Sequence, residues 1–220
     1  MSNSAAIKVI DNVVSQAQER YKDYIKSKYI AVNLKVDGQK TRGQCKDNTY
    51  SKTIKEENTK MMTRMLDCNI HRGSLIEMQA NREDKGYSMI GIVTSVPNQT
   101  PVDYYYQTLF FNTTVDRYRR ETIYDDDGDV VTDKPIVVKN IPCFVERIGM
   151  RERQIDAGID RNSVNELVTT KDVDLAIDDV LFIGNDRYII TDIEELDKDI
   201  LTAYMTYYRE DVIRDTDGTP

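Results

Sequence analysis

Alternating apolar and polar positions dominate the C-terminal part of the chain. Two short apolar runs, Val180–Ile183 and Arg187–Ile193, flank Gly184-Asn185-Asp186. Gly and Asn tolerate the positive φ angles of a tight hairpin turn. After an acidic break, the run Ile200–Tyr208 alternates with a period of two residues, which is the period of a β-strand. This segment therefore predicts a three-stranded antiparallel meander.

A different period marks the N-terminus. Between residues 5 and 27, apolar residues recur at intervals of three and four positions, which predicts an amphipathic helix, with Ser4 as a candidate N-cap. The predicted packing face consists of Ile7, Ile10, Val14, Ala17 and Tyr21. Most such faces pack within their own domain, which is the preferred interpretation here, and the alternative is a neighbouring subunit.

Short strand patterns fill the middle of the chain. A strand ending at Val36 precedes Asp37-Gly38, a strong two-residue hairpin signal, and a short polar return strand. The aromatic run Asp103–Asn112 also alternates, and we expect it to complete the same sheet system as the C-terminal meander. Segment 61–67 fits either a strand or a helical turn, and no internal repeat is visible in the sequence.

These patterns together predict a mainly β protein, a small antiparallel β-barrel or sandwich with an N-terminal amphipathic α-helix. The predicted division has three parts: residues 1–60 with the helix, the hairpin and a polar arm at 46–60; residues 61–210 with the barrel; and a loose acidic tail at 211–220.

Composition narrows the functional class. With 220 residues, 40% of them hydrophobic and 31% charged, the chain has the composition of a globular protein. It contains no apolar run of the roughly 20 residues that cross a bilayer, and its N-terminus lacks signal-peptide features. We therefore expect no membrane partner and synthesis in the cytoplasm. Cys45, Cys68 and Cys143 are odd in number and far apart, which predicts free thiols.

The arginine-rich segment Arg117, Tyr118, Arg119 and Arg120 is a weak candidate for binding nucleic acid, because arginine and tyrosine hold a strand by charge and stacking. The net charge of −8 argues against affinity for a polyanion, and so does the acidic run that begins at Asp125. A solvated strand edge is the preferred interpretation of this segment.

Catalytic and metal-binding motifs are not recognisable. The acidic run Asp125–Asp129 places its glycine at position four, which fails the spacing of a calcium-binding loop. His71 is the only histidine, and its surroundings match no nucleophile elbow. We therefore predict no enzyme activity, no metal and no cofactor.

Two segments resemble the neck proteins of tailed bacteriophages, most closely the head-closure or stopper class. One is Asp178–Ile193, with its apolar run, glycine turn, tyrosine and Ile190-Thr191-Asp192-Ile193. The other is the aromatic strand Tyr104–Asn112, followed by Asp127-Gly128 and Pro135. The chain has Phe111 where the family often has a cysteine.

The resemblance implies a virion structural protein that forms a hexameric or dodecameric ring in the neck of the particle. Such a ring contacts portal or adaptor proteins above and tail proteins below, and it lines or closes the channel through which DNA passes without specific binding. A tail-terminator or adaptor ring of the same neck is the first alternative. An OB-like nucleic-acid-binding module is the alternative from another class.

The charged segment 149–161 is the candidate gating or subunit-contact loop, because it is long and separate from the strand patterns. Its candidate residues are Arg151, Glu152, Arg153, Asp156, Asp160 and Arg161.

Overall fold

The protein is described from a computed structural model. The described residues are 3–26, 31–47, 53–65, 69–80, 86–124, 127, 130–149, 162–194 and 196–208. The predicted gating loop residues 151, 152, 153, 156, 160 and 161, together with the tail at 211–220, lie outside them.

The structure confirms a mainly β barrel architecture with an N-terminal helix. Helix α1 spans Asn3–Lys26. Ser4 already lies inside this helix, so its predicted role as the N-cap is wrong. The strands form two closed antiparallel barrels of six strands each, where a single barrel was predicted.

The first barrel begins with the predicted hairpin, and Asp37 and Gly38 at its turn have positive φ angles of 48° and 81°. Its elements are β1 (Val32–Val36), β2 (Gln39–Lys46), α2 (Ile54–Asn58), β3 (Thr59–Met65), β4 (Leu75–Met78), β5 (Met89–Val93), β6 (Asn98–Gln99) and β7 (Asp103–Phe110). The short strand β6 pairs with β7 and is additional to the six strands that close the barrel. The β1–β2 hairpin was predicted to group with the N-terminal helix. It pairs instead with β3 and β4 inside this barrel.

The second barrel contains the predicted meander. Its strands are β8 (Thr113–Tyr124), β9 (Val130–Arg147), β10 (Asn165–Thr170), β11 (Val180–Ile183), β12 (Asp186–Ile193) and β13 (Ile200–Tyr207). The aromatic strand β7 pairs with β3, β5 and β6 of the first barrel, so the expectation that it completes the sheet of the meander is wrong.

The two barrels share one strand order. In each, the first three strands form a meander, the fourth pairs with the first, the fifth with the fourth, and the sixth joins the fifth to the third. Strands β1, β2, β3, β4, β5 and β7 correspond in this way to β8 through β13. The chain is therefore an internal duplication of topology, although its sequence shows no repeat.

Strand β7 buries side chains on both of its faces. Tyr106 and Phe110 point into the core of the first barrel, as their even spacing requires. Leu109 points the other way and is 1% exposed, because it packs against Phe144 and Ile200 of the second barrel. This apolar cluster joins the two barrels into one unit.

Ion pairs reinforce the contact between the barrels. Arg72, in the turn before β4, donates from both terminal nitrogens to the two carboxylate oxygens of Asp197, each over 2.6 Å. A second pair also links the barrels: Lys55 of α2 donates from Nζ to Oε1 of Glu166 over 2.7 Å, and its backbone N–H donates to Glu146 over 3.2 Å.

We predict that Asp197→Asn destabilises the protein in a pH-dependent way. Arg72, with the backbone N–H groups of Asp199 and Ile200, lowers the pKa of Asp197 from 3.8 to about 2. A folded-state pKa below the unfolded value gives stability that is full above pH 3.8 and is lost as the pH falls through 2. The variant should therefore lose about 1–2 kcal/mol at pH 7 and much less near pH 2.

Urea denaturation of both chains at the two pH values measures this difference. The control is Asp172→Asn, which alters an exposed carboxylate and should leave stability within about 0.5 kcal/mol at either pH. An equal loss for Asp197→Asn at both pH values contradicts the electrostatic explanation.

Gly73 is a second sensitive position at the same contact. Its φ angle is +88°, and a Cβ atom there would lie 2.6 Å from the backbone oxygen of Asp199. We expect Gly73→Ala to lower the free energy of unfolding by about 2–3 kcal/mol, because it adds a steric clash to the cost of a left-handed backbone. Gly184→Ala is the matched control, since Gly184 has a φ of +60° and a Cβ atom added there would meet no other atom within 4 Å. We expect Gly184→Ala to lower the free energy of unfolding by about 1 kcal/mol. If chemical denaturation shows equal losses for the two variants, the positive φ angle alone explains the loss at Gly73, and the steric clash contributes nothing.

Candidate assembly interface

The C-terminal half of helix α1 holds the helix on the first barrel. Ile25 is buried at 1% exposure. Gln18 donates from Nε2 to the backbone oxygen of Pro101 over 2.7 Å. Arg42 donates from Nη1 to the backbone oxygen of Lys26 over 2.7 Å, which satisfies a carbonyl at the helix end.

The predicted packing face of α1 has two environments. Tyr21 and Val14 are half-buried, and burial, with a contribution from Asp103, raises the pKa of Tyr21 to about 12. Ile7 and Ile10 are 56% and 61% exposed. Ala17 is also exposed, and so are two neighbours of the stripe in the N-terminal half, Val9 and Val13.

The segment Ile7–Val13, which we call the exposed helix half, therefore presents apolar side chains that the described part of the chain does not cover. Its four large aliphatic residues are each more than half exposed. Of all large apolar residues on the described surface, these four form the densest group in sequence. An apolar patch of this kind marks a site of protein association.

A groove on the second barrel combines apolar and acidic side chains. It is lined by Leu175, Ala176, Ile177, Asp192 and Ile193, and its volume is about 720 Å³. We call it the acidic groove. Ile177 is 56% exposed, and the neighbouring Asp178 is exposed as well.

Two arginines fix the loop that forms one wall of this groove. Arg119 donates to both carboxylate oxygens of Asp179, over 2.6 and 2.8 Å, and from Nη1 to Asp174 over 2.9 Å. Arg117 donates to the same Asp174 carboxylate over 3.2 Å and also to the backbone oxygen of Asp174. We call these four residues the arginine clamp. The two guanidinium groups lower the pKa of Asp174 below its usual value.

Two members of the clamp, Arg117 and Asp179, are buried, whereas Arg119 is half-buried and Asp174 is exposed. Asp179 is 1% exposed, and its Oδ2 accepts the backbone N–H of Ala176 over 2.8 Å. Asp178 has a positive φ of 70° and donates its N–H to the backbone oxygen of Ile190 over 3.0 Å. The carboxylates of the clamp therefore set the course of the chain through the groove wall.

These contacts change the interpretation of the arginine-rich segment. Arg117 is 5% exposed, which makes a solvated strand edge wrong for that residue. Arg117 and Arg119 already bind carboxylates, so their guanidinium groups face Asp174 and Asp179. Tyr118 is half-buried, and Arg120 is the exposed member of the group.

The β8–β9 hairpin extends beyond the second barrel. β11 pairs with β8 only at Asp116–Tyr118, whereas β8 and β9 continue to pair with each other as far as Tyr124 and Val130. Within the described residues, no third strand pairs with this ribbon. At its tip Asp127 lies in a turn, and the other four residues of the acidic run 125–129 lie outside the described part of the chain.

The two halves of the chain differ strongly in charge. Residues 1–110, with α1 and the first barrel, contain 16 Lys and Arg against 12 Asp and Glu, a net charge of +4. Residues 111–220, with the second barrel, contain 14 against 26, a net charge of −12. This division was available in the sequence, and the total of −8 conceals it.

The remaining candidate residues in the described part of the chain are two cysteines and the histidine. Burial raises the pKa of the Cys45 thiol to about 11 and that of Cys143 to about 12, and both thiols are free. His71 is exposed, with Nδ1 2.8 Å from the backbone oxygen of Arg72.

Among the described residues, no three His, Cys, Asp or Glu side chains are placed to hold a metal ion. No helix in the described part of the chain is long and apolar enough to cross a membrane.

Comparison of the chain with protein-family profiles, with curated proteins and with solved structures finds no significant match.

Proposed function

We propose that this chain is a virion structural protein whose copies assemble into a ring in the neck of a tailed bacteriophage, around the channel for DNA. The observation that carries the proposal is the exposed helix half, whose apolar side chains are left uncovered by the described part of the chain and so offer a site for protein association. The resemblance of Asp178–Ile193 and Tyr104–Asn112 to neck proteins supplies the biological setting.

Two further features support a role in assembly. The barrels are joined by a buried apolar cluster and by the Arg72–Asp197 pair, so a subunit presents surfaces on both barrels at fixed positions. The β8–β9 ribbon also extends beyond the pairing with β11, and among the described residues no third strand joins it there, so that it could bind another chain by β-augmentation. A tail-terminator or adaptor ring of the same neck would use these features equally well.

The charge distribution fits a channel protein. The net charge of the second barrel half is −12, and an acidic surface repels DNA and lets it pass without sticking. An OB-like nucleic-acid-binding module is less well supported, because Arg117 and Arg119 of its candidate site bind Asp174 and Asp179.

Negative-stain electron microscopy of the purified chain tests the proposal. We expect rings with an axial channel, and we expect little retention of DNA in filter binding even at low salt. A monomer that binds DNA with a steep salt dependence would overturn the neck proposal in favour of the nucleic-acid-binding module.

A further inference from the structure

We infer that the exposed helix half of one copy docks in the acidic groove of the next copy, so that subunits join head to tail. This inference rests on the proposed self-assembly and assigns its contact to two surfaces. Helix-in-groove binding uses an apolar helix face with anchors at intervals of three and four residues. Ile7 and Ile10 have this spacing on the helix, with Val13 one interval further along.

The dimensions of the two surfaces match. Seven helical residues from Ile7 to Val13 span about 10 Å, or roughly two turns, at 1.5 Å per residue. The acidic groove has a volume of about 720 Å³, enough to receive several aliphatic side chains. Its exposed Ile177 and its lining residue Ile193 offer apolar contacts to the helix.

Charge selects a second copy as the occupant. The groove belongs to the half of the chain with net charge −12 and is lined by Asp192, and Asp178 follows its lining residue Ile177 in the chain, whereas the helix belongs to the half with net charge +4. Opposite potentials on the two halves favour contact between unlike halves and disfavour contact between two acidic barrels.

The arrangement also uses both surfaces of every subunit. A symmetric dimer through two copies of the helix would cover the helix and leave the groove empty. A head-to-tail contact covers helix and groove in each copy, and it closes into a ring when the rotation between subunits allows closure. The inferred contact is thus the kind that the proposed ring requires.

Disulfide cross-linking tests the pairing directly. Ile10→Cys and Ile177→Cys place thiols on the two surfaces, and both positions are exposed, so folding should be preserved. When the two single variants are mixed and oxidised, we expect covalent dimers that contain one copy of each. The double variant, with both cysteines in one chain, should give a ladder of higher covalent oligomers.

Three controls accompany the mixture. Ser15→Cys, on the opposite face of α1, mixed with Ile177→Cys should give no cross-link above that of the unmodified chain, which reports the background from the native cysteines. Ile10→Asp should abolish concentration-dependent self-association in sedimentation velocity. Ser15→Asp adds the same charge to the same helix and should leave self-association unchanged.

The outcomes separate this inference from the proposed function. Cross-linked dimers of Ile10→Cys alone would show a symmetric helix contact and would overturn the inference. Rings in which the mixed variants do not cross-link would overturn it too, while leaving the neck ring intact. Open filaments that cross-link between positions 10 and 177 would uphold the contact and count against the ring.

Discussion

Phe144→Ala is expected to lower the free energy of unfolding by about 3–5 kcal/mol and to split one cooperative transition into two. Phe144 is fully buried at 0% exposure. It lies on β9 between Cys143 and Val145, which point into the second barrel, so its own side chain points out of that barrel. There it packs with Ile92 and Leu109 of the first barrel.

The splitting follows from where the ring packs. A core substitution inside one barrel weakens that barrel, whereas truncation of Phe144 leaves a cavity between the two. The barrels would then keep their separate cores but lose part of the apolar contact that makes them unfold together. Differential scanning calorimetry measures this as a van't Hoff enthalpy that falls below the calorimetric enthalpy.

Phe182→Ala is the matched control, because it removes the same atoms from a half-buried position on β11. We expect a loss of about 1–2 kcal/mol and no change in cooperativity. If Phe144→Ala gives one sharp transition with equal van't Hoff and calorimetric enthalpies, the ion pairs couple the two barrels, and the apolar cluster is not what joins them.

The C-terminal meander was predictable because local signals determine it. Strand β11 has the predicted bounds, and β12 and β13 differ from prediction by one residue each. Period-two alternation fixes the strands, and Gly184 supplies the positive φ of their turn. These strands and their turn can be predicted without knowing any contact to residues that are distant in the sequence.

The sequence predicts one barrel where the structure has two, because the division into two barrels depends on strand pairings between distant residues. In β7 the run Thr108–Phe110 interrupts the alternation of buried and exposed positions, and this interruption reflects burial on both faces. A strand between two cores loses its polar side, and the sequence pattern of such a strand resembles a continuous apolar run. Which barrel it joins depends on pairing with β3, some forty residues earlier.

The arginine-rich segment shows a similar limit. A cluster of arginines on one strand is visible in the sequence, but its partners are not. Asp174 and Asp179 lie 55 and 60 residues from Arg119, in a chain that contains 38 acidic residues. Only the fold determines that Asp174 and Asp179 are the partners of Arg119. Without that knowledge, the sequence does not distinguish a nucleic-acid-binding surface from a structural clamp.

Arg119→Met is therefore expected to cost about 3–5 kcal/mol, because it leaves the buried Asp179 carboxylate without its guanidinium partner. Chemical denaturation measures this loss, and Arg147→Met, at an exposed position, should change stability by less than about 0.5 kcal/mol. Adding Asp179→Asn to Arg119→Met should cost less than the sum of the single losses, because the two residues act as one unit.

The same substitution should loosen the wall of the acidic groove, since Asp179 also holds the backbone N–H of Ala176. Under conditions where the variant remains folded, its self-association should weaken at least tenfold, which corresponds to about 1.4 kcal/mol of binding free energy. Self-association that is unchanged while stability falls would show that the clamp supports the barrel only, and would move the docking surface away from the groove. A loss of both places the arginine clamp beneath the contact between subunits, as a positioning element for the loop that receives the helix.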